Sequence, residues 1–211
     1  MIRSFDLSLY LVTDQRSRGH HLDRVVRDAV AGGVSLVQLR DHHSSDAEMY
    51  RTTCRLLDVL ADTGVPLVVN DRVDVALAAG AQGVHLGQGD LPADRVRDLA
   101  GPDVVIGLTT STPAEVEAAE AYGDGVVDYL GLSPFLATLT KPDAAEPLGL
   151  EGLRALRRAT ALPCVAIGGV NTSNAADVVD TGVDGIAVVS AICAAGDARA
   201  AAAALRRCID R

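Results

Sequence analysis

The chain has 211 residues, and 19 Lys and Arg set against 28 Asp and Glu leave a formal net charge of −9. That length is ample for one domain, and with 48% hydrophobic residues the composition is globular and not disordered. A chain this acidic, with 3% aromatic residues and no Trp, is a poor match for nucleic-acid backbones, base-stacking platforms or anionic membrane surfaces, although net charge does not forbid a small basic pocket.

In chain order, Met1 to Tyr10 lacks a basic stretch followed by an apolar one, so no secretory leader is read there. Leu9–Asp14 is the first expected strand, and Leu22, Val25, Val26, Ala29 and Val30 then recur at helical spacing. Val34–Arg40 is a second strand. Ser45 and Glu48 form a capping box ahead of a helical stripe of Tyr50, Cys54, Leu57 and Ala61. Strands follow at Pro66–Asn70, Gly83–Leu86 and Val104–Leu108. A second capping box, Thr112 to Glu115, has Pro113 at the first helical position. The last strands are Tyr129–Ser133, Cys164–Gly168 and Gly185–Ser190. Gly32, Gly64, Gly80 and Gly182 stand where helices should stop.

Several strands are continuously apolar (LYLV, LVV, IAVV), the signature of strands buried on both faces. Eight strands in 211 residues means about 26 residues per unit, close to the minimum for a strand and helix pair. With no linker, low-complexity tract or charge block, the pattern predicts an α/β fold: a single-domain (β/α)8 TIM barrel, one catalytic domain over residues 1–211. The rival is an open doubly wound sheet. It would usually carry a glycine fingerprint after the first strand, which here ends Val-Thr-Asp-Gln. The longest apolar run, Gly185 to Gly196, is interrupted by Ser190 and too short to span a bilayer. Cys54, Cys164, Cys193 and Cys208 are scattered without a CxxC pair, which reads as reduced structural thiols in a cytoplasmic protein.

In a barrel, polar residues just past the C-terminal ends of strands form the active face. Here they are Gln38 to His43, Asn70 to Arg72, Gly87 to Asp90, Thr109 to Ser111, Ser133, the Thr138-Leu139-Thr140-Lys141 loop, Gly168-Gly169 and Ser190. Asp71 and Asp90 are short carboxylates on adjacent strands, suited to a Mg²⁺ held by few protein ligands and by substrate phosphates. Arg40 and Lys141 supply a guanidinium fork and a point charge for those phosphates. Gly168-Gly169 before a helix start suits a second phosphate. Taken singly, each has a plainer reading: Asp71 and Asp74 as acids in a helix first turn, the glycines as a tight turn, His42-His43 as a solvated loop, and His85 as a satisfied strand histidine. No Ser-His-Asp, Cys-His or zinc spacing stands out.

Gln38-Leu39-Arg40, Asn70-Asp71-Arg72, Gly83-Val-His-Leu-Gly-Gln-Gly-Asp90, Asp128-Tyr-Leu-Gly, Thr138-Leu-Thr-Lys141, Ala166-Ile-Gly-Gly169 and Ala187-Val-Val-Ser190 together resemble the thiamine-phosphate synthase family, in order and over essentially the whole chain. The resemblance implies coupling of a pyrimidine methyl diphosphate to the nitrogen of a thiazole ethyl phosphate (or its carboxylated form), giving thiamine phosphate and pyrophosphate. It implies Mg²⁺ on Asp71 and Asp90, and small-molecule substrates as the only partners beyond a homo-oligomer. By position, Gln38, Leu39, Arg40, Asp41, His42, Asn70, Thr109 and Lys141 would hold the pyrimidine diphosphate, with Arg40, Lys141 and Thr109 catalytic. Thr138, Leu139, Thr140, Gly169, Val189 and Ser190 would hold the thiazole phosphate.

The chain also departs from that family's pattern. Asp41-His42 stands where Glu-Lys is usual, and a histidine is only partly charged at neutral pH. Gly89 replaces a common acid, Thr109 a serine, Ser111 a histidine, and Ser133 and Leu136 a glycine and an aromatic. Two other readings remain open at this point: a thiazole tautomerase-like isomerase, and a ligand-binding paralogue without turnover. The Ser133–Glu146 loop, framed by Pro134, Pro142 and Pro147, is a candidate mobile segment.

Overall fold

A computed structural model describes residues 5–14, 20–137 and 146–210. Eight parallel strands close into a barrel in sequence order: β1 (Leu9–Val12), β2 (Leu36–Leu39), β3 (Leu67–Asn70), β4 (Gly83–Leu86), β5 (Val105–Thr110), β6 (Tyr129–Leu132), β7 (Cys164–Ile167) and β8 (Gly185–Val188). β8 pairs with β1, as Ile186 with Leu9 and Ala187 with Tyr10, so no edge is left unpaired. All eight expected strands are present: Gly83–Leu86 is unchanged, β5 starts one residue later and runs on to Thr110, and the others are shorter by one to three residues. The closed ring excludes the doubly wound alternative.

The helices between them are α1 (His20–Ala31), α2 (Asp46–Leu60), α3 (Val73–Ala79), α4 (Ala93–Ala100), α5 (Pro113–Glu120), α6 (Gly149–Arg158), α7 (Ala175–Val179), α8 (Ser190–Cys193) and α9 (Ala198–Ile209). Both capping boxes form, Ser45 with Glu48 and Thr112 with Glu115. Gly80 ends α3 in a left-handed conformation, φ 75°. At the end of α1 it is Gly33, not Gly32, that takes a positive φ, 106°, while Gly32 is needed for space, since the Arg199 carbonyl of α9 lies where its side chain would stand.

The α1 stripe is buried as expected, from Leu22 to Ala29. On α2 the expected face is wrong by about one residue. Tyr50 and Ala61 are exposed, and the helix buries Met49, Thr53, Leu56 and Leu60 instead. Thr53 makes that face look polar in sequence, yet its hydroxyl donates to the Met49 carbonyl at 2.8 Å and so enters the core satisfied.

Two apolar layers result. Outward strand residues pack under the helices, and a smaller inner cluster of Leu7, Tyr10, Val12, Leu36, Val68, Val105, Tyr129, Val165 and Ala187 fills the barrel itself. Large and small residues alternate around that interior: Tyr129 lies beside Gly107, and Tyr10 beside Ala187. No helix among the described residues is long and apolar enough to cross a membrane.

Candidate active site

The parity that sends Tyr10, Leu36, Val68 and Val105 inward sends Gln38, Asn70, His85, Thr109 and Ile167 inward one or two steps nearer the strands' C-terminal ends. There they line one cavity, together with Arg40, Gly131, Ser133, Gly168, Gly169, Val189 and Ser190. Its floor is the inner core and its rim is built from the strand-to-helix loops. Eight of the residue positions expected at strand ends therefore converge on one space, Gln38, Arg40, Asn70, Thr109, Ser133, Gly168, Gly169 and Ser190, and Val189, expected by resemblance, joins them.

One side of the cavity is cationic. Arg40 is half-buried, and its backbone N–H donates to Thr13 Oγ1 at 3.0 Å. Burial pulls the guanidinium below its ordinary pKa, while Asp71 and Asp14 act in the opposite direction and favour its charged form. Asp71 itself sits on a left-handed backbone, φ 60°, the one non-glycine with positive φ among the described residues. A short acid tolerates that conformation. It lets the chain leave β3 sharply, with the Asp71 N–H donating to the His85 carbonyl at 2.9 Å and the carboxylate facing His42 Nδ1 at 3.6 Å. Asp90, on the next loop, accepts from the Gly87 N–H through Oδ2 at 2.7 Å.

The opposite side is backbone and hydroxyl. Gly168 and Gly169 both have positive φ, 104° and 78°. The Gly169 carbonyl accepts from the side-chain amides of Asn171 and Asn174, each at 3.1 Å, which pins the loop. Leu136 packs so close to Gly169 that a Cβ there would meet it at 2.9 Å. Ser190 opens α8 beside them.

Between the two sides runs a hydrogen-bonded chain that crosses the barrel. Gln38 Nε2 donates to the Tyr10 hydroxyl at 2.7 Å, and the Tyr10 and Tyr129 hydroxyls lie 2.8 Å apart. Tyr129 meets His85 Nδ1 at 2.9 Å, and His85 Nε2 meets Thr109 Oγ1 at 2.8 Å. Burial pushes both phenols well above their ordinary pKa, so they stay neutral donors at any physiological pH. Gly107 makes room for this chain, since a Cβ on it would collide with the Tyr129 ring and with His85.

Some expected residues are not brought in. Leu39 is buried among the helices on the outer side of its strand. Asp41 turns both carboxylate oxygens to its own loop, accepting from the His43 and Ser44 N–H groups and from the Ser44 hydroxyl. His42 is half-exposed and meets Asp71 at the rim. Thr138, Leu139, Thr140 and Lys141 lie outside the described residues. Conversely, Tyr10, Thr13, Asp14 and Tyr129 are not among the residues expected at the site from sequence. Gln88 reaches across to the Thr109 carbonyl at 2.7 Å. The inward parity of each strand was the signal that could have found Tyr10 and Tyr129.

A closed (β/α)8 barrel with a cation, two rim acids and a glycine loop around one C-terminal cavity is the architecture of a phosphate-handling barrel enzyme. The family model for thiamine monophosphate synthase matches residues 9–192. Thiamine-phosphate synthase from Albidiferax ferrireducens is 51% identical over 210 residues, covering 99% of this chain and 94% of the other. That from Chloroflexus aurantiacus is 50% identical over 202 residues, covering 95% and 92%. Among solved structures, a thiamine phosphate pyrophosphorylase from Pyrococcus furiosus superposes with TM-score 0.87 at 38% identity, covering 97% of this chain and 96% of that one. The chain belongs to the thiamine monophosphate synthase family.

Proposed function

We propose that the protein condenses an aminopyrimidine methyl diphosphate with a thiazole ethyl phosphate to thiamine phosphate and pyrophosphate, or does so with the carboxylated form of that thiazole, whose carboxyl group then leaves as carbon dioxide. The observation that carries this reading is a cavity with Arg40 on one wall and the Gly168-Gly169 loop on the other, in a chain about half identical to thiamine-phosphate synthases over nearly its full length. Those relatives do not favour the isomerase or the non-catalytic paralogue.

In this reading the carbon–oxygen bond of the diphosphate breaks first, and its electron pair leaves with pyrophosphate. The amino group feeds the ring and stabilises the remaining cation. The thiazole nitrogen lone pair then forms the new carbon–nitrogen bond. Little acid–base work is needed; the demands are charge on the leaving diphosphate and two rings held in contact. Arg40 meets the first demand with a two-pronged guanidinium, and the resemblance adds Lys141. Gln38, Asn70 and Thr109 hold the pyrimidine, while Gly169, Val189 and Ser190, with Thr138, Leu139 and Thr140 by resemblance, take the thiazole phosphate.

Asp71 and Asp90 offer hard carboxylate oxygens on neighbouring loops, and Asp90 uses only Oδ2 in its own turn. Among the described residues no cluster of three or more ligating side chains forms, and two acids by themselves suit a cation that keeps its waters and takes substrate oxygens, which is the habit of Mg²⁺. When bound, Mg²⁺ would neutralise charge on the departing diphosphate. Scattered cysteines in an acidic chain fit a reducing compartment, and we place the protein in the cytoplasm.

The test is to mix purified protein with Mg²⁺ and both synthetic substrates and to assay thiamine phosphate. Arg40→Ala should lower kcat on the order of 10²–10³, as the loss of a donor to developing charge typically does. Asp90→Asn should weaken the dependence on Mg²⁺. Two bound substrates without product would overturn the reading, and an unaltered Mg²⁺ dependence in Asp90→Asn would remove that acid from the site.

A further inference from the structure

The five-membered chain from Gln38 to Thr109 has a direction, and hydrogen counting sets it. Gln38 approaches through Nε2, which can only donate, so the Tyr10 oxygen accepts. Tyr10 has one hydrogen of its own and lies fully inside the barrel, where the Tyr129 oxygen is the acceptor at hand. Tyr129 then passes its hydrogen to His85 Nδ1. That leaves the imidazole proton on Nε2, where it donates to Thr109 Oγ1. The Thr109 hydroxyl hydrogen is left to point into the cavity. With Gln38 Nε2 on Tyr10, running the chain the other way would strand the Tyr10 hydrogen in the core.

Both ends of the chain are cavity walls. At one end Gln38 is held with its amide nitrogen spent on Tyr10, which turns Oε1, an acceptor, to the ligand. At the other, Thr109 is held as a donor. We propose that Tyr10, Tyr129 and His85 are positioning residues that fix these two walls as an acceptor and a donor, and so select a 4-aminopyrimidine over its 4-oxo counterpart. The exocyclic amine donates to Gln38 Oε1 and a ring nitrogen accepts from Thr109. A 4-oxo ring would face the Gln38 oxygen with an oxygen. This inference rests on the reading of the cavity as a pyrimidine site, but the polarity of the chain is a property of the ligand-free protein.

The ligand-free property is read first, by nitrogen-15 NMR of His85. The expected state is a neutral ring protonated on Nε2 and bare on Nδ1. Tyr129→Phe should remove the Nδ1 partner and give mixed tautomers, whereas Tyr10→Phe, one link further away, should leave the His85 tautomer as it is. In turnover, both variants should raise KM for the aminopyrimidine diphosphate about 10-fold with kcat little changed, the cost of roughly one hydrogen bond. Both should also lose most of the discrimination against the 4-oxo analogue in binding, read as its inhibition constant against the aminopyrimidine diphosphate. Melting curves establish that each variant is folded, and if Tyr129→Phe is not, Tyr10→Phe carries the kinetic comparison alone. A wild-type His85 protonated on Nδ1 would overturn the proposal, as would undiminished discrimination in the folded variants. A Nε2-protonated His85 in a protein that makes no thiamine phosphate and binds neither pyrimidine would leave the chain's polarity standing, overturn the selection of the amine, and refute the enzymatic reading separately.

Discussion

Asp41, His42 and Arg40 are consecutive in sequence, yet only Arg40 reaches the cavity. Leu39 points outward because strand neighbours alternate, and Asp41 is captured by the N–H groups of its own loop. A motif read along the chain cannot separate such neighbours; the pleat does. Cys164 makes a residue-level prediction. It is fully buried, its thiol hydrogen bonds to the Leu162 carbonyl, and burial pushes its pKa up to about 12. A raised thiol pKa keeps the group protonated through neutral and mildly alkaline pH, and it becomes a thiolate only as pH approaches that value. Against an ordinary thiol near 8.5, its thiolate fraction at pH 8 is lower by roughly a thousandfold. Iodoacetamide at pH 8 should therefore leave Cys164 unmodified in the folded protein and alkylate it in urea, as read by peptide mass spectrometry.

Helix and strand positions follow apolar spacing closely, but faces do not always. The α2 stripe was misassigned because Thr53 reads as polar, and only its local hydrogen bond makes it fit for the core. The Asp128-Tyr-Leu-Gly block is similarly double-edged. Tyr129 enters the barrel, whereas Asp128 sits at the N-terminal end of β6, away from the cavity. Its Oδ2 accepts from the Ile106 N–H at 2.7 Å and from Arg97 Nη2 at 2.8 Å, with both side chains largely buried. Arg97 also donates to the Gly101, Val104 and Val126 carbonyls, tying α4 to β5 and β6. A buried ion pair at that end of a barrel, away from the active face, serves stability. Asp128→Ala should cost about 3 kcal/mol in urea unfolding, since it leaves a buried guanidinium without its counter-ion. Its kcat should be unchanged in the surviving folded fraction.

Over the molecule as a whole, the net charge of −9 and the cavity's Arg40 have opposite signs. An acidic surface discourages polyanions, while a local cation and two rim acids able to recruit Mg²⁺ make a small diphosphate acceptable. Pyrophosphate with Mg²⁺ should therefore stabilise the fold by mass action, about 2.7 kcal/mol at a hundredfold excess over Kd. For a chain of this size that is a rise in Tm of roughly 5–10 °C, measurable by differential scanning fluorimetry. Added salt should shrink it. An equal rise from pyrophosphate without Mg²⁺ would detach the metal from the site.

Strand number, strand order and the polar strand ends are legible in the linear chain, because burial on both faces and a strand-to-helix rhythm leave local marks. The family blocks are legible for the same reason: they are short and contiguous. The hydrogen-bonded chain through Tyr10, Tyr129 and His85 is not, since its members come from β1, β6 and β4 and meet only across the closed barrel. Which acids stand at the mouth of the barrel and which serve a loop or the far rim was likewise decided by tertiary structure. Two carboxylates look alike in sequence, and only the groups folded against each one, an N–H, an imidazole or a guanidinium, set its task.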